Sequence, residues 1–461
     1  MEYGDTRVGG QKMRLFGTDG IRGVANKSPM TPFHIMKVGG ALANYFKKTK
    51  SHRPKILIGK DTRLSGYMLE SSLAAGITAM GGDVLLVGPM PTPGIAFLTK
   101  NINADAGVVI SASHNPYMDN GIKVFNSEGM KLSDSAEKEI EKIALSANIH
   151  HLLPVSSRIG KNVRVDDALG RYIVFLKNSL PRDFSLEGMK VTLDCANGAT
   201  YKIAPMIFNE LRAEVKAVGI SPDGTNINKN CGSLYPEKLA NIVLKERSNA
   251  GFAFDGDGDR LIAIDEKGHI VSGDEIIAIV SNFLKEQKQL KNNFVVGTVM
   301  SNYGLRKYFE QKGIRSSMTR VGDKYVLEEM YKRGAVIGGE DSGHIIFLNH
   351  HSTGDGLLTA LQLISVMKHT KKKLSELRKV MKRYPQVLIN LPVGKRADFK
   401  KVPELKKAYD EASAKLAGRG RVLIRYSGTQ LLLRIMVEGP SHKEITKIAE
   451  DLTKIFKKKL A

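Results

Sequence analysis

KILIGKDTRLSGYMLESSLAAGITAMGGDVLLVG (55–88) decides the fold class. KILIG (55–59) and VLLVG (84–88) are short β-branched runs, and between them apolar residues recur with helical spacing over 66–80. A strand, a helix and a second strand in that order make a βαβ unit, which calls for a largely parallel sheet covered by helices. GVVISAS (107–113) supplies the next strand. The rhythm restarts at VTLDCANG (191–198), EVKAVG (214–219) and AGFAFDGDGD (250–259), and again at FVVGTVMSN (294–302) and AVIGGEDSGH (335–344). After Lys371-Lys372-Lys373, Pro385 opens a different grammar: QVLINLPV, a helix over 402–417, RVLIRYSG, LLLRIMVEG and a last helix over 442–460. The expectation is three consecutive α/β domains with mixed, mainly parallel sheets at 1–160, 161–265 and 266–382, then a smaller α+β domain at 383–461. No period of ~20–50 residues points to a solenoid.

At 461 residues the chain exceeds the ~250–300 at which a single core stops growing, in keeping with several domains. Hydrophobic residues at 42% and charged residues at 25% are globular values and exclude disorder as the main state. The uncharged run 84–99 contains three prolines and two glycines and falls short of the ~18 apolar residues of a spanning helix. MEYGDTRVGGQKMRLFG at the start lacks the apolar stretch of a secretory signal, so cytoplasmic residence without membrane attachment is expected. Two cysteines, Cys195 and Cys231, are too few for a disulfide scaffold or a four-thiolate zinc site. The net charge of +23 draws anions, and 385–461 alone holds 17 basic against 8 acidic residues. Charge runs of this kind read as solvated surface, so nucleic acid is not expected as a partner.

Four segments carry chemistry. SASHNP (111–116) follows an apolar strand, and open α/β sheets place their ligands at strand ends. An ordinary turn is the plain alternative, and a hydrolase triad is disfavoured because no G-x-S-x-G elbow surrounds Ser113. In DGDGDR (255–260) three carboxylates alternate with glycines that let a tight loop converge them on one hard cation, for which Mg²⁺ is the natural candidate. An EF-hand fits poorly, since Arg260 stands where that loop needs glycine and a strand follows at once. GGEDSGH (338–344) offers acceptors and an imidazole suited to sugar hydroxyls or proton transfer. RYSGT (425–429), with Arg434 on the next strand, combines guanidinium, hydroxyl and backbone N–H groups suited to a phosphate dianion.

In this order and spacing the four segments resemble the four active-site loops of the α-D-phosphohexomutase superfamily, one per domain around a central cleft, over essentially the whole chain. FGTDGIRG (16–23), GKDTRLSGYMLE (59–70), SPDGTNINKNCGS (221–233) and VGDKYVLE (321–328) are similar to the branch that interconverts glucosamine 6-phosphate and glucosamine 1-phosphate. The resemblance implies a phosphoserine at Ser113 and Mg²⁺ held by Asp255, Asp257, Asp259 and a phosphoryl oxygen on Ser113. It implies Lys123 and His344 as acid and base, with Arg22, His114 and Arg260 supporting the phosphoryl site. Glu340 and Ser342 would meet the sugar together with His344, and Arg425, Ser427, Gly428, Thr429 and Arg434 would hold the distal phosphate. It further implies a sugar bisphosphate activator, glucosamine or glucose 1,6-bisphosphate, and a role in making amino-sugar precursors of cell walls. Glucose or mannose phosphates are the alternative substrates. Asp341 replaces a usual Gln, which bears on the sugar, and Tyr426, Gln430 and Leu431 depart from the usual last loop, R-P-S-G-T-E-P. Oligomeric state and the resting phosphorylation of Ser113 are not legible in the sequence.

Overall fold

The computed structural model describes residues 7–8, 11–12, 14–17, 19–49, 52–394, 396–426 and 431–460. They form two compact units, one of Met1–Val299 with Ser317–Arg378 and one of Met300–Ser316 with Lys379–Ala461.

The first unit holds three mixed sheets. In the first, strands run in the order Ile21–Val24, Asp119–Asn126, Ala106–Ile110, Lys55–Lys60, Asp83–Pro89, Asn162–Arg164. The last four are mutually parallel, and Asp119–Asn126 runs antiparallel to both of its neighbours. Ile56, Leu57 and Ile58 are all buried, as a central strand covered on both faces requires. Ile35, Val38, Leu42 and Phe46 form one stripe of the helix Pro32–Thr49 and enter the same core as Leu69, Leu73 and Ile77 of the helix Ser65–Ala79. The second sheet runs Glu214–Val218, Lys190–Asp194, Ala250–Phe254, Leu261–Asp265, Ile270–Val271, parallel over its first three strands and antiparallel after. In the third, Phe294–Thr298 pairs in parallel with Ile337–Gly339, which pairs antiparallel with Ile345–Phe347.

One architectural rule repeats. Ala106–Ile110, Ala250–Phe254 and Ile337–Gly339 each end a parallel pairing and are each followed by an antiparallel partner. The three chemistry-bearing segments of this unit are the hairpin connections so formed, at 111–118, 255–260 and 340–344. The strand Asp119–Asn126 escaped the sequence reading because Asn120 and Lys123 interrupt its apolar pattern, yet both are buried. Polar residues inside a strand here mark the site, not the surface.

The second unit carries an antiparallel sheet ordered Gln386–Pro392, Leu432–Glu438, Arg421–Tyr426, with the helices Pro403–Lys415 and His442–Leu460 on one face. Leu391, Leu433, Ile435, Val437, Leu405, Ile445, Leu452 and Phe456 form its core. The helix Tyr303–Lys312 also belongs to this unit. At its start Asn302 Nδ2 donates to Glu438 Oε1 at 3.1 Å, and Asn302 Oδ1 accepts from Tyr384 N at 3.0 Å.

Candidate active site

Ser113 is 2% exposed and sits at φ +53°, a left-handed conformation that costs a non-glycine residue about 1–3 kcal/mol and persists only where its surroundings impose it. The neighbouring groups do so. Ser113 N donates to Ser111 Oγ at 2.9 Å, and Ser113 O accepts from Arg63 Nη2 at 2.9 Å and Asn228 Nδ2 at 2.8 Å. The turn aims the hydroxyl at the second domain's loop, where Ser113 Oγ donates to Asp255 Oδ2 at 2.7 Å. Gly256 permits that approach, since a Cβ there would lie 2.6 Å from Ser113 O and 2.7 Å from Asn228 Nδ2. His114 Nδ1 stands 3.4 Å from Ser113 Oγ, and burial, aided by the Arg260 and Arg22 charges, pulls the imidazole down to about 4, so it is neutral near pH 7.

Asp255, Asp257 and Asp259 are buried and offer carboxylate oxygens all within 4.8 Å of one another. Burial, then the Asp259 and Asp257 charges, drive the Asp255 carboxyl well above its usual range. Burial also opposes the charge of Asp259, but Lys123, His344 and Arg260 outweigh it and hold that carboxyl well below its usual range. Asp257 Oδ2 accepts from Thr92 Oγ1 at 2.7 Å and Lys123 Nζ at 2.9 Å. Among the described residues Asp257 Oδ1 and Asp259 Oδ1 are buried and accept no hydrogen bond, although Arg260 Nε lies 3.7 Å from Asp259 Oδ1. Spare acceptor capacity on two carboxylates within a buried cluster of three acids suits a hard divalent cation, so these residues fit Mg²⁺.

Lys123, from the strand Asp119–Asn126, is 3% exposed. Burial works against its charge, yet Asp257 at 2.9 Å, Asp259 at 3.5 Å and Asp19 at 3.7 Å raise its affinity for the proton. Asp19 also pairs with Arg22 and Lys131, and Lys131 reaches Asp323 at 2.6 Å. Arg22 Nη1 donates to Ala112 O at 3.3 Å, which ties this network to the Ser113 turn. His344 lies 3.6 Å from Asp259 through Nδ1 and 3.7 Å from Asp323 through Nε2. Its burial disfavours the imidazolium, but Asp259, Asp323 and Glu340 together raise its pKa. Gly354 N donates to His344 Nε2 at 3.1 Å, which places the proton of the neutral ring on Nδ1, toward Asp259. Only glycine fits at 354, where a Cβ would sit 2.5 Å from the ring.

Glu340 Oε1 accepts from Gly322 N at 3.1 Å, and Ser342 Oγ is buried without a hydrogen-bond partner among the described residues. Asp341 turns from the loop to the helix Gly273–Glu286, where its Oδ1 accepts from Asp274 N at 3.4 Å and its carbonyl accepts from Gly273 N at 3.1 Å. A carboxylate at a helix N-terminus complements the helix dipole, so the departure at Asp341 has a local physical reason. In the second unit Arg425 and Arg434 face each other across the antiparallel ladder, on the side away from the core. Two like charges directly opposed destabilise a sheet and invite an anion. Arg434 Nε is buried without a hydrogen-bond partner among the described residues. Ser427, Gly428 and Thr429 lie outside the described residues. Tyr426 is anchored, its hydroxyl donating to Ala397 O at 2.7 Å and accepting from Ala397 N at 3.0 Å.

The first unit therefore brings together Ser113, His114, Lys123, Arg22, Asp255, Asp257, Asp259, Arg260 and His344. Sequence reasoning passed over Asp19, Asp61, Arg63, Lys131, Asn228 and Asp323. Each except Lys131 lies in a segment that carried the family likeness, and that likeness was the signal that could have found them.

Comparisons with known proteins bear on the family and the fold. The chain matches the four domain models of phosphoglucomutase/phosphomannomutase: alpha/beta/alpha domain I over 13–149, domain II over 171–268, domain III over 272–384 and the C-terminal domain over 388–455. It is 56% identical over 447 residues to the phosphoglucosamine mutase of Syntrophus aciditrophicus, covering 97% of this chain and 99% of that protein. It is 50% identical over 455 residues to that of Bdellovibrio bacteriovorus, covering 98% and 100%. Among solved structures it resembles a phosphoglucomutase/phosphomannomutase family protein from Burkholderia thailandensis (TM-score 0.79, 23% identity, 96% of this chain and 97% of that one). It also resembles the N-acetylphosphoglucosamine mutase of Aspergillus fumigatus in complex with GlcNAc-6P and magnesium (TM-score 0.71, 16% identity, 97% and 96%). Likenesses at such identity speak to the fold alone.

Proposed function

The chain belongs to the phosphoglucomutase/phosphomannomutase family of α-D-phosphohexomutases, and from that premise we propose that it interconverts glucosamine 6-phosphate and glucosamine 1-phosphate through a phosphoserine at Ser113. The observation that carries the proposal is the 2.7 Å contact between Ser113 Oγ and Asp255 Oδ2, inside a buried cluster of three carboxylates. Mg²⁺ held by Asp255, Asp257 and Asp259 would supply Lewis-acid neutralisation of phosphoryl charge. Phosphoryl transfer demands positioning and charge stabilisation above all.

Ser113 Oγ carries the phosphoryl group, held by its turn in line with the incoming sugar hydroxyl. Arg22 and Arg260 offset negative charge beside it, and neutral His114 hydrogen-bonds without adding charge. Of the two acid–base candidates, Lys123 is the stored proton, buried among carboxylates beside the reacting group. His344 has its nitrogens turned to Asp259 and the Gly354 amide, so it binds a second proton only by giving up the amide. Glu340 and Ser342 contact sugar hydroxyls, and Arg425, Arg434 and the 427–429 segment hold the distal phosphate. A bisphosphorylated sugar intermediate must present either phosphate to Ser113, and a sugar 1,6-bisphosphate serves as activator.

The same proposal assigns each loop its own domain, divided near 160, 265 and 382, and places the enzyme in the cytoplasm; no helix among the described residues is long and apolar enough to cross a membrane. The +23 charge needs no nucleic-acid partner. Arg247, Lys368 and Lys371 lie at the C-terminal ends of the helices Pro236–Glu246 and Gly356–Thr370, where the helix dipole favours cations. The test is side-by-side turnover of the 1- and 6-phosphates of glucosamine, glucose and mannose with Mg²⁺ and a sugar bisphosphate. A higher kcat/KM for glucosamine phosphates is expected, and equal or faster turnover of glucose or mannose phosphates overturns the substrate assignment.

A further inference from the structure

Arg63 is fully buried, 0% exposed, and every N–H of its guanidinium is engaged. Nε donates to Asp61 Oδ2 at 2.8 Å, Nη1 to Pro116 O and to Asp119 O at 3.0 Å, and Nη2 to Ser113 O and Asn115 O, both at 2.9 Å. One side chain thus grips four carbonyls of the segment that carries Ser113. Asp61 completes the device from the other side. Its Oδ2 also accepts from Ser111 Oγ at 2.6 Å, and Ser111 Oγ accepts in turn from Ser113 N. Both peptide groups that flank the left-handed Ser113 are therefore fixed by one buried ion pair.

The grip also spans two domains. Asn228 Nδ2 donates to the same two carbonyls as Arg63 Nη2, Ser113 O at 2.8 Å and Asn115 O at 3.2 Å. The residues around Arg63 reach across in return: Thr62 Oγ1 donates to Asn197 O, and Leu64 N donates to Gly224 O at 2.8 Å. The Ser113 turn is therefore clasped between a guanidinium of the first sheet's loop and an amide of the second domain.

Resting on the reading of Ser113 as phosphoryl carrier, we infer that Arg63, with Asp61, is a positioning residue for the phosphoryl transfer, holding Ser113 in line with Asp255 without touching substrate. A guanidinium is needed because only a planar fork with five donors meets Asp61 and four carbonyls at once, whereas an ammonium offers three donors from one point. Misplacement of a reacting group by about 1 Å costs about 10²-fold in rate. Arg63→Lys, which keeps the charge, should therefore lower kcat about 10²-fold with KM within about twofold, at a temperature well below its melting point.

Val84→Ala, a core truncation in the same sheet, is the matched control: it lowers the melting temperature and leaves kcat unchanged. Should Arg63→Lys fail to fold, Ser111→Ala and Asn228→Ala each remove one limb of the clasp, and each should lower kcat severalfold with KM unchanged. Wild-type kcat in Arg63→Lys, or in both limb variants, overturns the inference while leaving the carrier reading intact. A kcat loss in Val84→Ala equal to that of Arg63→Lys at matched stability overturns it too, because the effect would then be general destabilisation. A phosphoryl group mapped in the wild-type protein to a residue other than Ser113 overturns the carrier reading and this inference together.

Discussion

The Ser113 turn and the 340–344 loop occupy equivalent places, each joining a strand to its antiparallel successor, yet they are finished in opposite ways. Around Ser113 the N–H, the carbonyl and the hydroxyl all have partners, and the residue is held in a strained conformation. In the 340–344 loop Ser342 Oγ is buried with no partner among the described residues, and Glu340 is only half-buried. Under the proposed function the difference has a reason: a serine that donates and receives a phosphoryl in line would need one geometry, whereas a loop that meets a sugar in two orientations would have to leave acceptors and donors for the ligand to fill.

The sharpest way to break this comparison is Ser113→Ala. Turnover should fall at least about 10⁴-fold with the fold retained, as loss of a nucleophile typically does. Melting curves with peptide mass spectrometry of the phosphoryl group check both halves, and substantial residual turnover would deprive the rigid turn of its purpose. Next in size is removal of divalent metal. Chelation should cost at least about 10²-fold in turnover, restored by Mg²⁺, since preorganised charge stabilisation is worth that much. Full activity after exhaustive chelation would contradict the metal reading, and preference for Ca²⁺ would favour an EF-hand-like site.

The third concerns the segment that follows the strand Ile345–Phe347. His351 Nε2 donates to Pro93 O at 2.8 Å and Nδ1 accepts from Ser352 N at 2.8 Å, so the buried ring is neutral, its pKa pulled down to about 4 by burial. The unfolded ring titrates near 6.5, so the unfolded chain binds the extra proton first as pH falls. Stability fully present above pH ~6.5 is therefore lost as pH falls toward about 4, by up to about 3 kcal/mol. His351→Gln should show a shallower loss between pH 7 and 4.5 in urea melts, and an unchanged slope would remove His351 from this role. A smaller effect is expected from Ser342→Ala, about tenfold in kcat/KM, the value of one hydrogen bond to a sugar hydroxyl, with Ser113 still phosphorylated. Smallest is Asp341→Gln. Because that carboxylate serves a helix amide, the preference for glucosamine over glucose phosphate should shift less than about twofold, with a loss of ~0.3–1 kcal/mol in stability. A large change in preference would place Asp341 at the sugar after all.

Most of the architecture was open to sequence reasoning wherever a periodic pattern existed. The strands Lys55–Lys60, Asp83–Pro89 and Ala250–Phe254 and the helices Pro403–Lys415 and His442–Leu460 follow from apolar spacing, because burial on a sheet or helix face imposes that spacing directly. Asp119–Asn126 did not follow, because its buried Asn120 and Lys123 answer to partners in other chain segments and break the pattern. The DGDGD motif pointed to a cluster of carboxylates from sequence alone, since alternating glycines let a tight loop converge them, and Asp255, Asp257 and Asp259 do converge.

By itself the sequence determined the α/β grammar, the four loops and the residue types that each brings. Tertiary structure decided which of those residues meet. Arg63, fifty positions before Ser113, closes on the serine turn, and Asn228 from the second domain joins it there. Asp19, Lys131 and Asp323 come from three further segments to complete the charge network around Lys123 and His344. The physical reason is that periodicity records whether a residue is buried, a property of its own element, while the partner of a buried charge is fixed only when distant elements pack and the low dielectric between them makes an unpaired charge too costly to keep.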